Sequence, residues 1–275
     1  KRNPKLINNM TTLITFSVLI WVIVSATCLE IGFPGKIKKL VGKSEITTNK
    51  VAEITKTIFS NESINCEGIM ELPTENNLHN PPDDCDKSGL HLLRSGFKDP
   101  DNFDFETFLA GLWCSKVGAA LISFFKGKKV NLPLLKDALI ETWFKTYNDE
   151  KTPFARIFLR PRKDPTVHAN SWYTYTINME GKKDCRFTLN GEKVPVMVTA
   201  QCEDENYPSK FIYVNTFYTD FISYTLCTWA TDRNQNYCLV SIPGGNKKFR
   251  ISTGLKSDDK GTDYLYSASP DVMPQ

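Results

Sequence analysis

Phe211-Ile212-Tyr213-Val214-Asn215-Thr216-Phe217-Tyr218-Thr219-Asp220-Phe221-Ile222-Ser223-Tyr224 is the stretch on which the reading of the fold turns. Aromatic and β-branched residues crowd both sides of Tyr218-Thr219-Asp220, the composition of strands rather than of exposed helices. The stretch reads as an antiparallel pair, residues 211–217 and 222–228, around that turn. Alternation then sets Tyr224 and Leu226 on one face of the second strand and Phe221, Ser223 and Thr225 on the other.

Working outward, the texture from residue 97 onward is one of short strands. Residues 112–125 are apolar and predict a buried strand bent at Gly118, followed by 139–147 and 155–159. The last two are separated by the turn-prone Asn148-Asp149-Glu150-Lys151-Thr152-Pro153. Residues 171–177, Ser-Trp-Tyr-Thr-Tyr-Thr-Ile, carry a strong strand signal, with Tyr173, Tyr175 and Ile177 on one face. Residues 186–189 and 194–199 flank Asn190-Gly191, the best hairpin turn in the chain. Residues 237–242 form a further strand ending at Pro243-Gly244-Gly245. Consecutive short strands with tight turns predict a mainly β protein, a barrel or a sandwich.

A second phrase stands earlier, Asn102-Phe103-Asp104-Phe105-Glu106-Thr107-Phe108-Leu109-Ala110-Gly111-Leu112-Trp113. Gly111 and Trp113, with Thr219-Asp220-Phe221 and Tyr224 downstream, resemble the G-x-W and T-D-Y-x-x-Y signatures of the lipocalins. The likeness is greatest to the apolipoprotein D-like and arthropod secreted members. The order and spacing of the two phrases also fit that family. Phe221 stands where Tyr is usual, and Ile242 where the family places an Arg over the Trp. The resemblance implies an up-and-down antiparallel β-barrel over residues 97–275, with Gly111, Trp113, Thr219, Asp220 and Phe221 at its closed end. It further implies a lumen in which Tyr173, Tyr175, Ile177, Tyr213, Tyr224 and Leu226 contact a small apolar or amphiphilic ligand.

The 34 basic and 31 acidic residues give a formal charge of +3. Lys1, Arg2 and Lys5 account for the whole excess, so the remainder is balanced and offers no field for nucleic acid. That basic tip precedes an apolar run at residues 13–24 and the small residues Ser25-Ala26. Residues 1–28 therefore read as a secretory signal peptide or, counting about eighteen residues from Thr11 to Cys28, as a single-pass membrane anchor. Both put the rest of the chain outside the cytosol, secreted or anchored with the barrel on the non-cytosolic side.

Residues 29–96 read as an N-terminal extension, partly helical and partly irregular. Ser44 could cap a helix carrying Ile46, Val51, Ile54 and Ile58 on one face. Asn61-Glu62-Ser63 is a glycosylation acceptor. Eight cysteines without a C-x-x-C pair suit disulfides in an exported chain. Cys66 and Cys85 bracket a polar loop, and Cys227 and Cys238 lie on neighbouring segments and could bridge directly. Cys114, beside the signature Trp, is expected to bond a later cysteine, with Cys185 and Cys202 as further candidates; Cys28 ends the apolar segment.

No nucleophile elbow, phosphate loop, dinucleotide fingerprint or zinc-protease motif is present. His79, His91 and His168 are far apart in the sequence, and His168 reads as a solvated loop side chain rather than a haem ligand. The chain is thus expected to be no enzyme and to need no cofactor or metal. Its expected role is to carry or sequester a small ligand. The alternative is a membrane-anchored accessory subunit that docks through the barrel, with a membrane or protein-complex partner for residues 1–96.

Overall fold

The computed structural model describes residues 48–62, 87–125, 130–147, 151–159, 170–178, 185–190, 196–202, 208–213, 216–231, 236–241, 248–261 and 263–271. All belong to one compact unit, Ile37–Gln275; the other unit, Lys1–Lys36, lies outside them, and with it the apolar run at 13–24. The loop between Cys66 and Cys85 is likewise outside the described residues. Among the described residues no single helix is long and apolar enough to cross a membrane.

The chain is not a mainly β barrel. It runs through α1 (Thr48–Glu62), α2 (Lys87–Lys98), a 3-10 turn (Pro100–Asn102), α3 (Phe105–Cys114), α4 (Lys116–Phe125) and α5 (Leu132–Leu139), which continues into a π turn (Ile140–Phe144). Next come α6 (Pro153–Phe158), α7 (Trp172–Asn178) and the strands β1 (Cys185–Asn190), β2 (Val196–Cys202) and β3 (Ser209–Tyr213). A long helix α8 (Phe217–Ala230) precedes β4 (Tyr237–Ser241), β5 (Lys248–Ser257) and β6 (Asp263–Asp271). The strands form two separate antiparallel three-stranded sheets, β1-β2-β3 and β4-β5-β6, and no closed barrel exists among the described residues.

Helix α8 explains both the architecture and why its sequence suggests strands. Every residue from Phe217 to Cys227 is buried. It packs against α1, α2, α4 and all three strands of the second sheet. A helix surrounded on all sides needs no polar face, so its sequence loses the 3.6-residue period that marks an amphipathic helix. Its β-branched and aromatic residues cost at most about 0.7 kcal/mol each in helix propensity. Burying each large apolar side chain returns roughly 1.5–3 kcal/mol, so burial decides the conformation. Thr216 caps the start by accepting the Tyr218 amide at 3.0 Å. Thr225 and Thr228 donate to Phe221 O and Tyr224 O, one turn back, which satisfies their hydroxyls inside the helix.

The other expected strands at 112–125, 139–147, 155–159 and 171–177 are also helical, and local capping shows why. Asp104 accepts the Thr107 amide at 3.0 Å and starts α3. The Thr107 hydroxyl, then its amide, hold the Asp104 carboxyl below its usual range. Asn131 caps α5, and Thr152 caps α6 with Pro153 at its first position, where a missing N–H costs nothing. Residues 112–125 are two helices bent by 79°. Ser115 makes that corner: its hydroxyl donates to Leu112 O at 2.6 Å and accepts the Gly118 amide at 3.0 Å.

Other expectations hold. Val51, Ile54 and Ile58 are buried on one face of α1, which packs on α4, α8 and β4. Strands β1 and β2 pair antiparallel in the register Cys185↔Cys202, with Asn190 still in β1 opposite Met197; Gly191 and the rest of the expected turn lie outside the described residues. A disulfide joins that pair, and another ties Cys227 of α8 to Cys238 of β4. Cys114 carries a free, exposed thiol and makes no bridge, because α3 turns it away from the core. The two sheets meet at β3 and β6, where Lys210 Nζ and Asp271 Oδ1 pair at 2.7 Å.

Candidate functional site

The tyrosines expected to line a lumen are core side chains. Tyr175 of α7 stacks on Phe211 of β3 at 4.9 Å and meets Phe187 of β1 edge-on. Tyr173 lies against Phe217, and Trp172 against Tyr213 at 4.1 Å. Ile177 packs against the same core, and Leu226 is fully buried in α8. The Tyr224 hydroxyl donates to Asn170 O. Burial, then the Asp220 carboxylate, raise its pKa well above the ordinary tyrosine value.

The two phrases quoted above do touch, as one helix against another. A side chain at Gly111 of α3 would collide with the Tyr218 hydroxyl. Phe108 packs on Tyr218 at 5.2 Å and on Phe221 at 5.0 Å. Trp113 is only half-buried and plugs nothing, while Thr219, Asp220 and Phe221 lie inside α8. Asn61 falls in the last turn of α1.

A group of charged and aromatic side chains forms where α6, the end of the π turn and the β5–β6 hairpin converge. Thr152 and Pro153 fix the start of α6 and so place Arg156, which is buried. Its Nη2 donates to Lys151 O at 2.9 Å. Across from it, β6 carries a bulge. Gly254 pairs with Ser267 and Leu255 with Leu265, so Tyr266 is an extra residue whose side chain the bulge re-aims. The Arg156 guanidinium carbon stands over the Tyr266 ring at 4.5 Å from its centroid, and Lys256 Nζ at 3.5 Å. The Tyr266 ring is thus held between side chains of two basic residues.

Beside this pair, Tyr147 and Tyr264 stack at 4.6 Å with planes 7° apart, and Lys145 Nζ stands 5.2 Å from the Tyr147 centroid. The Tyr147 hydroxyl donates to Glu141 O at 3.1 Å. Burial first, then the carboxylates of Glu141 and Asp258, push its phenol up to about 12. Tyr266 is half-buried, and Lys145 and Lys256 are exposed. Tyr147 and Tyr264 are buried, so the part of the cluster open to a ligand is Tyr266 with Lys145 and Lys256, which can take a base against a ring and an anionic oxygen against a cation. None of Tyr147, Arg156, Lys256, Tyr264 and Tyr266 forms a local motif, and no spacing in the sequence brings them together.

Of the histidines, His91 is exposed on α2, and His79 and His168 lie outside the described residues. Among the described residues no group of three or more His, Cys, Asp or Glu is arranged to hold a metal ion.

No protein-family model matches the chain, and no curated protein sequence matches it. Among solved structures, the fold is similar to that of XendoU, described as a splicing-independent snoRNA-processing endoribonuclease. The TM-score is 0.59 at 12% identity, over 83% of this chain and 98% of that one. The ligand-carrier reading falls with this result. Among the described residues there is no closed barrel, and so neither a barrel lumen for an apolar ligand nor a barrel to dock through. The expectations of no enzyme and no nucleic acid rested on missing linear motifs and on net charge, and the likeness to an RNA-processing enzyme's fold removes both.

Proposed function

We propose that this protein acts on RNA as an endoribonuclease, gripping its substrate at the cation–aromatic cluster around Tyr266. The observation that carries the reading is the likeness of fold to XendoU across nearly all of that chain. The cluster supports it: the half-buried Tyr266 ring takes a base, while the exposed Lys256 beside it offsets the charge that builds on a phosphate as a strand is cut. Proton transfer near neutral pH falls to histidine, of which the chain has His79, His91 and His168. The protein works outside the cytosol, a placement supported by the disulfides Cys185–Cys202 and Cys227–Cys238.

Oxidised protein incubated with end-labelled single-stranded RNA, and with DNA of the same sequence, tests the proposal. RNA is expected to bind saturably and be shortened, and the DNA to stay intact. Tyr266→Ala together with Lys256→Ala is expected to weaken RNA binding by about 10-fold or more, the loss of one stacked base. Replacing the histidines by alanine one at a time is expected to slow cleavage at least about 100-fold at the position that transfers the proton, with binding kept. RNA that is neither bound nor cut at low salt overturns the reading.

A further inference from the structure

We infer that Tyr237 and Arg250, on the outer side of the second sheet, form a second base-binding subsite for the RNA strand that the Tyr266 cluster takes. The inference rests on the RNA reading above and adds a different pair of side chains to it. In β4, Cys238 and Val240 are buried, and Tyr237, Leu239 and Ser241 alternate with them toward the outside. Tyr237 is 38% exposed, more than any other large apolar side chain among the described residues. In β5, buried Phe249, Ile251 and Thr253 leave Arg250 and Ser252 on that outer side. Ser252 stands opposite Tyr237 in the register, and Arg250 opposite Leu239. Arg250 Nε donates to Ser252 Oγ at 3.1 Å, which draws the guanidinium across to Tyr237, 4.3 Å from the ring centroid.

Charge and position select the occupant. Asp271, opposite Arg250 on β6, pairs with Lys210 at 2.7 Å, and among the described residues no carboxylate forms an ion pair with Arg250. A cation without a counter-charge beside an open ring matches the two things a nucleotide presents, a phosphate and a π face. The pair also continues the proposed site. Arg250, Ser252, Gly254 and Lys256 follow one another at alternate positions of β5, and Lys256 Nζ is 3.5 Å from the Tyr266 centroid. The six residues from Arg250 to Lys256 set the two ring–cation pairs about 20 Å apart. Ser252 and Gly254, with Ser269 and Ser267 across from them on β6, floor that interval, so no large side chain at these positions blocks it. About six stacked nucleotides cover the distance, and three do not.

The test compares the full chain with its Tyr237→Ala, Tyr237→Phe and Arg250→Gln variants, each shown by matched thermal unfolding to be folded. The probes are fluorescent single-stranded RNAs of three and of twelve nucleotides. Tyr237→Ala is expected to bind the longer RNA at least about 5-fold more weakly, the loss of one stacked base, and Tyr237→Phe to bind it as the wild type does. Arg250→Gln should make the slope of log affinity against log salt shallower by about 0.7, one phosphate. The short RNA occupies one subsite at a time, so Tyr237→Ala is expected to change its affinity by less than about 2-fold. A Tyr237→Ala variant that holds the longer RNA as tightly as the wild type overturns this inference alone, as does one that weakens both RNAs equally. If that variant keeps RNA binding but no longer self-associates in sedimentation, the ring belongs to a contact between copies and the inference is again overturned. A wild type that binds no RNA overturns the proposed function and this inference together.

Discussion

Two glycines show how differently one residue type is used. Gly118 sits where α4 leaves the corner at Ser115, and a Cβ there would run into the Leu112 carbonyl. That neighbour is backbone and cannot swing aside. Gly118→Ala is therefore expected to destabilise by about 3 kcal/mol, the upper end of ordinary overpacking, as read from urea unfolding. Gly261, in the β5–β6 turn, has φ of 73° and nothing within 4 Å of an added Cβ. Gly261→Ala meets only the backbone penalty of the left-handed region, about 1 kcal/mol in the same measurement. Only the first role leaves a trace in the sequence. Gly118 suggests a bend in a strand; it does mark a bend, but between two helices.

At the scale of elements, the π turn and α8 are joined by a reciprocal exchange. The Trp143 indole donates to Thr225 Oγ1 at 2.8 Å, and the Trp229 indole to Thr142 Oγ1 at 2.9 Å. Trp143 and Thr225 are fully buried, so Thr225→Val strands an indole N–H that water cannot reach. A loss of about 1–3 kcal/mol is expected in urea unfolding. Trp229 is half-exposed and can turn its N–H to solvent, so Thr142→Val is expected to cost under about 1 kcal/mol. Equal losses at the two positions would show that the exchange is not what holds these elements together. The helices that resemble strands nonetheless carry start signals in the sequence: Asp104, Asn131-Leu132-Pro133, Thr152-Pro153 and Thr216. Thr152-Pro153 suggests turn chemistry because a proline at the first position of a helix and a proline in a turn look alike until the following residues are known to be buried.

For the whole molecule, alkaline pH probes how the tyrosines are packed. Burial pushes Tyr213 up to about 12 and Tyr224 well above the ordinary value, while Tyr147 reaches about 12 through burial and two carboxylates. The folded state therefore holds these protons more tightly than the unfolded chain, which releases them near 10. Their stabilisation is complete below about pH 10 and is lost as pH rises toward and through about 12. Unfolding midpoints measured from pH 8 upward should stay level and then fall across that window, together with tyrosinate absorbance. A midpoint that falls well below pH 10 would place the cause elsewhere.

Local signals in the sequence marked the α1 face of Val51, Ile54 and Ile58, the antiparallel pairing of β1 and β2, strand β4 and Cys227 with Cys238 as a candidate bridge. Each depends on residues close together along the chain, or on a periodic face with solvent on its other side. The helical state of α7 and α8 and the meeting of Tyr147, Arg156, Lys256, Tyr264 and Tyr266 were decided only in the tertiary structure. A helix enclosed on every side shows no period to read. A site assembled from four elements has no local pattern until packing brings them together.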